Sequence, residues 1–351
     1  MFSHALLAVA LLFHAGQQPF SFKAQQLTAQ LAVKSSAIGG LVWYPVDASA
    51  PERVQTIGAP GHALFIAGSA APGARLASSP KRFPLILLSH GTGGSARQLA
   101  WLGTALARAG FIAVAIDHPG NNGVADPTVQ GFTLWWLRAR ELSMALDTVL
   151  ANPAFGPRID KTRIGAAGFS LGGYTVIAIA GARVDMPGML ERCTSDPQAM
   201  ECQSPPEFPD LVAKAQALRA SDPSYANALA NGNVNVADPR VRAIYAIAPA
   251  LGEAVTLDSL HDVAIPVRIA YGTSDRIAPP PQNALRYANW IPGAATLPVL
   301  DAGHYTFLDT CTAVAVQSIP AICVDPAGID RNAVHARVAA DAVDFFRQTL
   351  T

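Results

Sequence analysis

A doubly wound, mostly parallel α/β sheet with a cap inserted over one end is the fold class this sequence predicts, and three observations carry it. The first is a continuous apolar run, Phe83-Pro84-Leu85-Ile86-Leu87-Leu88-Ser89, the pattern of a strand buried on both faces of a parallel sheet. The second is the alternation of short apolar strands with amphipathic helices after that run, which calls for right-handed crossovers. The third is Gly168-Phe169-Ser170-Leu171-Gly172, a Gly-x-Ser-x-Gly turn between a small-residue strand and an apolar helix.

Bulk composition bounds the rest. The 351 residues are 50% hydrophobic, enough for one large core or one core with a smaller cap, so residues 17–351 are expected to form a single domain. Lys+Arg and Asp+Glu balance at 25 each, with no basic run or basic-aromatic stripe, and a nucleic-acid partner therefore has no electrostatic support.

Residues 5–13 form an apolar run too short to span a bilayer as a helix. It has the look of an export leader covering residues 1–16, although no Lys or Arg precedes it. The four cysteines fall into two local couples, Cys193 with Cys202 and Cys311 with Cys323, whose spacing closes short disulfide loops. Neither couple has the tighter spacing or accompanying histidines of a metal site. Two structural disulfides and a periplasmic or secreted location are expected.

Taken in order, residues 27–33 and 40–46 alternate apolar with small or polar side chains, as an antiparallel pair at one edge of the sheet would. Residues 47–82 are rich in Ala, Gly, Pro and Ser with one hydrophobic burst at 63–67, and are expected to be a long connection. After the 83–89 strand come a helix over 96–109, a strand over 111–116, a loop over 117–123 and a helix over 132–150. The serine strand follows, then an apolar helix over 174–182. Residues 183–240 break the alternation; they hold the first cysteine couple and a helix over 209–220, and are expected to be the cap. Strands at 241–248, 266–271 and 295–300 and a helix at 332–350 resume the pattern.

Ligands of such sheets bind at the carboxyl ends of the strands, and the polar residues found there set the chemistry. Ser170 is the expected nucleophile, held in a strained turn whose flanking glycines avoid collision with strand and helix. A serine hydroxyl needs a base that is itself oriented by an acid. In a serine, acid, histidine order the acid follows a late strand, which selects Asp275 in Gly272-Thr273-Ser274-Asp275; rivals are Glu253, Asp301 and Asp309. The histidine follows the next strand, which selects His304 in Asp301-Ala302-Gly303-His304-Tyr305. His90 and His118 precede the nucleophile, His261 precedes the acid, and His335 lies within the C-terminal helix. Attack on a carbonyl also needs two backbone N–H donors about 3 Å from the developing oxyanion. Leu171, next after the serine, is one, and Thr92 in His90-Gly91-Thr92-Gly93-Gly94 is the other.

From about residue 83 to the C-terminus the chain resembles the α/β-hydrolase fold superfamily. Within it, Trp43-Tyr44-Pro45, Ser89-His90-Gly91-Thr92-Gly93-Gly94, Gly168-Phe169-Ser170-Leu171-Gly172-Gly173 and the late Asp275 and His304 are similar to the dienelactone-hydrolase group and the plasma-type platelet-activating-factor acetylhydrolases. The resemblance implies hydrolysis of small-molecule esters with short or accessible acyl groups through an acyl-enzyme, without metal or cofactor. Dienelactone hydrolases themselves use cysteine where this chain has Ser170, so lactone hydrolysis is not carried over. Acetylhydrolases of the plasma type commonly have a bulky apolar residue where this chain has Thr92.

Other classes stay open at this level. An amidase or peptidase would use the same triad. A polyester or lipid-surface hydrolase would need exposed aromatics, for which Leu134-Trp135-Trp136-Leu137 is the candidate, and a binding module without catalysis is the third class. Oligomeric state is not legible.

Overall fold

A computed structural model describes residues 13–23 and 37–351 of the chain. In chain order its strands are β1 (His14–Lys23), β2 (Ala37–Val46), β3 (Arg53–Ala59), β4 (His62–Pro72), β5 (Phe83–Ser89), β6 (Ile112–Ile116), β7 (Ile159–Phe169), β8 (Val241–Ile247), β9 (Val267–Gly272), β10 (Ala295–Val299) and β11 (Thr310–Cys311). They form one sheet in the order β10-β9-β8-β7-β5-β6-β2-β1-β4-β11, with β3 on β4.

From β6 through β10 every pairing is parallel, while β2 joins β6, and β1 joins β2, antiparallel. All seven residues of β5 and all five of β6 are buried, which is why their sequences are apolar without alternation. One face is covered by the helices Leu137–Ala151 and Leu171–Ile179, the other by Ala100–Arg108 and Arg331–Thr349, and each face has its own continuous core. Because β5 lies between β6 and β7, the winding direction reverses there. Loops leaving the carboxyl ends of β5 and β7 diverge across that point and open a crevice.

Three expectations about elements are corrected. Residues 47–82 are not a bare connection: they contain the β3–β4 hairpin, turned at Gly61 with φ of 76°. The first strand is mostly exposed and the second only half-buried, with the small residues Gly68 to Ala71 following the 63–67 burst, so no clean alternation betrays the pair. The helix expected over 132–150 is two pieces, Val129–Thr133 and Leu137–Ala151. Between them Leu134, Trp135 and Trp136 turn into the core, with Trp135 Nε1 donating to the Phe132 carbonyl at 2.6 Å. The helix after the serine begins at Leu171 rather than 174, directly under the side chain it serves.

The strand expected over 27–33 and the body of the expected leader, residues 1–12, lie outside the described residues; the first described strand starts at His14. Both cysteine couples are disulfides, Cys193–Cys202 and Cys311–Cys323. Segment 183–240 carries the helices Met186–Ser195, Leu211–Ser221 and Pro223–Ala230. Among the described residues no helix is long and apolar enough to cross a membrane.

Candidate active site

Ser170 stands at the end of β7 with φ 55° and ψ −118°, a conformation costing a side-chain-bearing residue of order 1–3 kcal/mol. The surroundings enforce it. A Cβ at Gly168 would lie 2.2 Å from the Gly172 carbonyl oxygen, and one at Gly172 would lie 1.9 Å from that of Ser89. Strand and helix therefore approach each other more closely than any other residue permits. The Ser170 carbonyl accepts from Tyr174 N and Ala250 N, both at 3.1 Å, and its amide donates to the Ile247 carbonyl at 2.9 Å.

The three residues selected from sequence meet. His304 Nε2 lies 2.9 Å from Ser170 Oγ and His304 Nδ1 lies 2.7 Å from Asp275 Oδ2. All three are buried. The other Asp275 oxygen accepts from Ile277 N at 2.9 Å and Ala278 N at 2.7 Å, so the carboxylate is oriented by backbone donors. The Phe169 ring packs on the imidazole with centroids 4.8 Å apart. Of the rival acids, Glu253 is exposed, Asp301 is an exposed turn residue at φ 59°, and Asp309 is buried with neither oxygen hydrogen-bonded to protein. None of them meets the ring.

Behind His304 the short helical turn His304–Phe307 is anchored from several sides. Thr306 Oγ1 donates to Asp325 Oδ1 at 2.7 Å, Arg331 Nε donates to Asp325 Oδ2 at 2.9 Å, and the Cys311–Cys323 disulfide closes the segment between.

Thr92 lies in the loop after β5, facing the serine. Amides on both sides of it are already engaged: Gly91 N donates to Gln98 Oε1 at 2.7 Å and Gly93 N to Asn121 Oδ1 at 2.9 Å. Gln98 and Asn121 were not singled out from sequence, since polar side chains after a glycine-rich turn carry no mark of what they hold. Thr92, Ser170 and Leu171 together line a cavity of about 1100 Å³, whose further wall comes from segment 183–240, with Met186, Met189 and Tyr225 among its side chains. That segment rests on the Thr92 loop, for a Cβ at Gly93 would lie 2.6 Å from Glu207 Cγ. Crowding by the cavity walls pushes the Glu207 carboxyl above its ordinary range.

Residues 85–317 match the family model described as the alpha/beta hydrolase family. The chain belongs to that family. As an alpha/beta hydrolase, it is similar to Cutinase est2 of Thermobifida alba, 36% identical over 107 residues that make up 30% of this chain and 32% of the cutinase. It is also similar to Lipase 1 of Moraxella sp. (strain TA144), 28% identical over 178 residues, 51% of this chain and 43% of the lipase. The chain thus spans less than half the length of either of these relatives. A ferulic acid esterase from Streptomyces cinnamoneus superposes with a TM-score of 0.60 at 18% identity, covering 98% of this hydrolase and 91% of that chain, which bears on the fold.

Proposed function

We propose that the protein is a serine carboxylic-ester hydrolase working through an acyl-enzyme. The observation that carries this is the continuous hydrogen-bonded line from Asp275 through His304 to Ser170 at the floor of an open cavity. Asp275 holds the Nδ1–H of His304, leaving Nε2 to accept the serine proton. Ser170 Oγ attacks the ester carbonyl, whose oxygen takes the negative charge between the Thr92 and Leu171 amides. The positive end of the Leu171–Ile179 helix favours the same charge. His304 then gives its proton to the leaving alkoxide; a water molecule next loses a proton to His304 as its oxygen bonds the acyl carbon, and His304 returns that proton to Ser170 Oγ as the acyl bond breaks, releasing the acid and restoring the serine. No step calls on a metal or cofactor.

The substrate is a small-molecule ester with an acyl group short or otherwise accessible, and segment 183–240 acts as a cap that sizes the pocket. The cavity volume leaves room for a bulky alcohol or acyl partner beyond acetate. Curated relatives named as cutinases and a lipase favour esters over amides. The aromatic run Leu134 to Leu137 is buried, so the lipid-surface reading loses the feature that suggested it. Two disulfides suit an oxidising compartment, and we place the working enzyme in the periplasm or outside the cell.

The test is hydrolysis of p-nitrophenyl esters from acetate to palmitate by the purified protein and by Ser170→Ala. Turnover of the shorter esters that drops at least a thousandfold in the folded variant supports the reading. Equal activity of the two proteins, or none in either, rejects it.

A further inference from the structure

Beneath the Thr92 loop lies a buried polar cluster that the catalytic cycle does not use. Arg138, the second residue of the Leu137–Ala151 helix, is 2% exposed. Its Nη2 donates to the His90 carbonyl and lies 3.4 Å from Ser89 Oγ, and its Nε donates to Thr175 Oγ1 at 3.1 Å. Burying a guanidinium here costs desolvation that an apolar side chain of similar size would avoid.

The contacts converge on the two amides assigned to the oxyanion. The His118 amide donates to His90 Nε2 at 3.1 Å, so that nitrogen is the acceptor and the ring proton is on Nδ1. Nδ1–H then donates to the Gly91 carbonyl at 2.7 Å. That carbonyl and the Thr92 N–H are the two ends of one planar trans peptide and point in opposite directions; fixing one aims the other. Burial, with the Arg138 charge adding to it, holds His90 and His118 well below the usual imidazole range, which preserves the neutral tautomer this arrangement requires. On the other side Thr175 Oγ1, held by Arg138, donates to the Leu171 carbonyl at 2.8 Å, at the first turn after the serine.

We infer that Arg138 is the positioning residue of the oxyanion site: from one buried point it holds the His90 loop that aims the Thr92 amide and the helix start that carries the Leu171 amide. It touches neither substrate nor triad. The inference rests on the ester-hydrolase reading.

The experiment compares Arg138→Lys, which keeps the charge but cannot reach all three acceptors, with Thr175→Val, which cuts one arm with little change of shape. Two ligands separate positioning from general damage. An aryl trifluoromethyl ketone is trapped when Ser170 Oγ bonds to its carbonyl carbon, the serine proton moves to His304 and the carbonyl electron pair becomes an oxyanion. The matching methyl ketone occupies the pocket as a ground-state mimic.

In Arg138→Lys, kcat for p-nitrophenyl butyrate is expected to fall about a hundredfold and in Thr175→Val about tenfold, with KM within about threefold. Affinity for the trifluoromethyl ketone falls by the same factors while that for the methyl ketone stays within about threefold. Equal losses for both ketones, or no loss for either, overturn the inference. Should Arg138→Lys fail to fold, Thr175→Val decides it alone. Wild-type protein that neither hydrolyses the ester nor traps the ketone is a separate result, and rejects the hydrolase reading itself.

Discussion

The indole of Trp101 and the imidazole of His335 lie parallel, 3° apart in plane with centroids separated by 4.5 Å, and both rings hold the turn that carries His304. His335 Nε2 donates to the Thr306 carbonyl at 3.0 Å and Trp101 Nε1 to the Phe307 carbonyl at 3.1 Å. Two helices far apart in sequence thereby fix the backbone immediately after the proposed base, His304.

Acid should loosen this support. Burial, reinforced by the neighbouring Arg331 charge, pushes His335 down to about 4. A histidine whose folded value is depressed contributes stability that is complete above its unfolded value near 6.5 and is lost as pH falls through its folded value. Between pH 6.5 and 4 the loss amounts to about 3 kcal/mol at most. Urea unfolding across that range should show a shallower pH dependence in His335→Gln than in the wild type, and parallel curves would refute the assignment.

Asp275→Asn should be far more damaging than its size suggests. The Ile277 and Ala278 amides demand an acceptor at the Oδ1 position, so the asparagine oxygen is drawn there and its NH2 faces His304 Nδ1. The ring is then forced to carry its proton on Nε2, where it cannot accept one from Ser170. A kcat loss of roughly 10³ to 10⁴ is expected with a folded protein, against changes under about threefold for Glu253→Gln and Asp301→Asn. Similar effects of all three substitutions would mean that Asp275 does not orient the base.

Gly172→Ala and Gly303→Ala both alter glycines near the site, with opposite expectations. The first places a methyl 1.9 Å from a backbone oxygen that cannot swing away, while the nearest neighbour of the second is 3.9 Å distant. Thermal unfolding should show Gly172→Ala destabilised by about 3 kcal/mol or more and Gly303→Ala by less than about 1. A tolerated Gly172→Ala would mean that strand and helix approach less closely than described.

The two disulfides should fail differently. Cys311–Cys323 braces the segment behind His304, so replacing both cysteines by serine is expected to cost about 2–3 kcal/mol and to lower kcat. Cys193 and Cys202 line the cavity wall, so the same replacement there should act chiefly on KM and on chain-length preference. Steady-state kinetics on the ester series distinguishes them, and a reversed pattern would contradict these placements.

The hydrogen-bonded line from Asp275 to Ser170 was legible because its parts announce themselves locally: a glycine-flanked serine between strand and helix, an aspartate just past one late strand, a histidine just past the next. Their meeting in space follows from parallel strands, whose carboxyl ends all lie on one side. The β3–β4 hairpin was not legible, because neither its mostly exposed first strand nor its half-buried second, where small residues follow the 63–67 burst, alternates cleanly. Arg138 left a signal that went unread. With Glu141 it occupies the helix stripe that continues as Leu142, Ala145, Leu146 and Val149, all buried. Burial pushes the Glu141 carboxyl up to about 8 and pulls Arg138 down to about 9, each opposed by the other's charge. Charges on an apolar stripe mark a buried polar cluster, but only the fold tells what they hold.

The short strand β11 pairs Thr310 with Ile66 and Cys311 with Phe65, and Thr312 N donates to the Leu64 carbonyl at 2.9 Å. During synthesis the hairpin emerges with that edge bare and stays so until some 250 further residues have been made. Ser170 is likewise translated long before its base. A nascent chain therefore carries a complete nucleophile turn with nothing to activate it, and the same late segment that delivers His304 also covers the waiting edge. Completion of the serine–histidine pair and protection from edge-to-edge association arrive with the same segment.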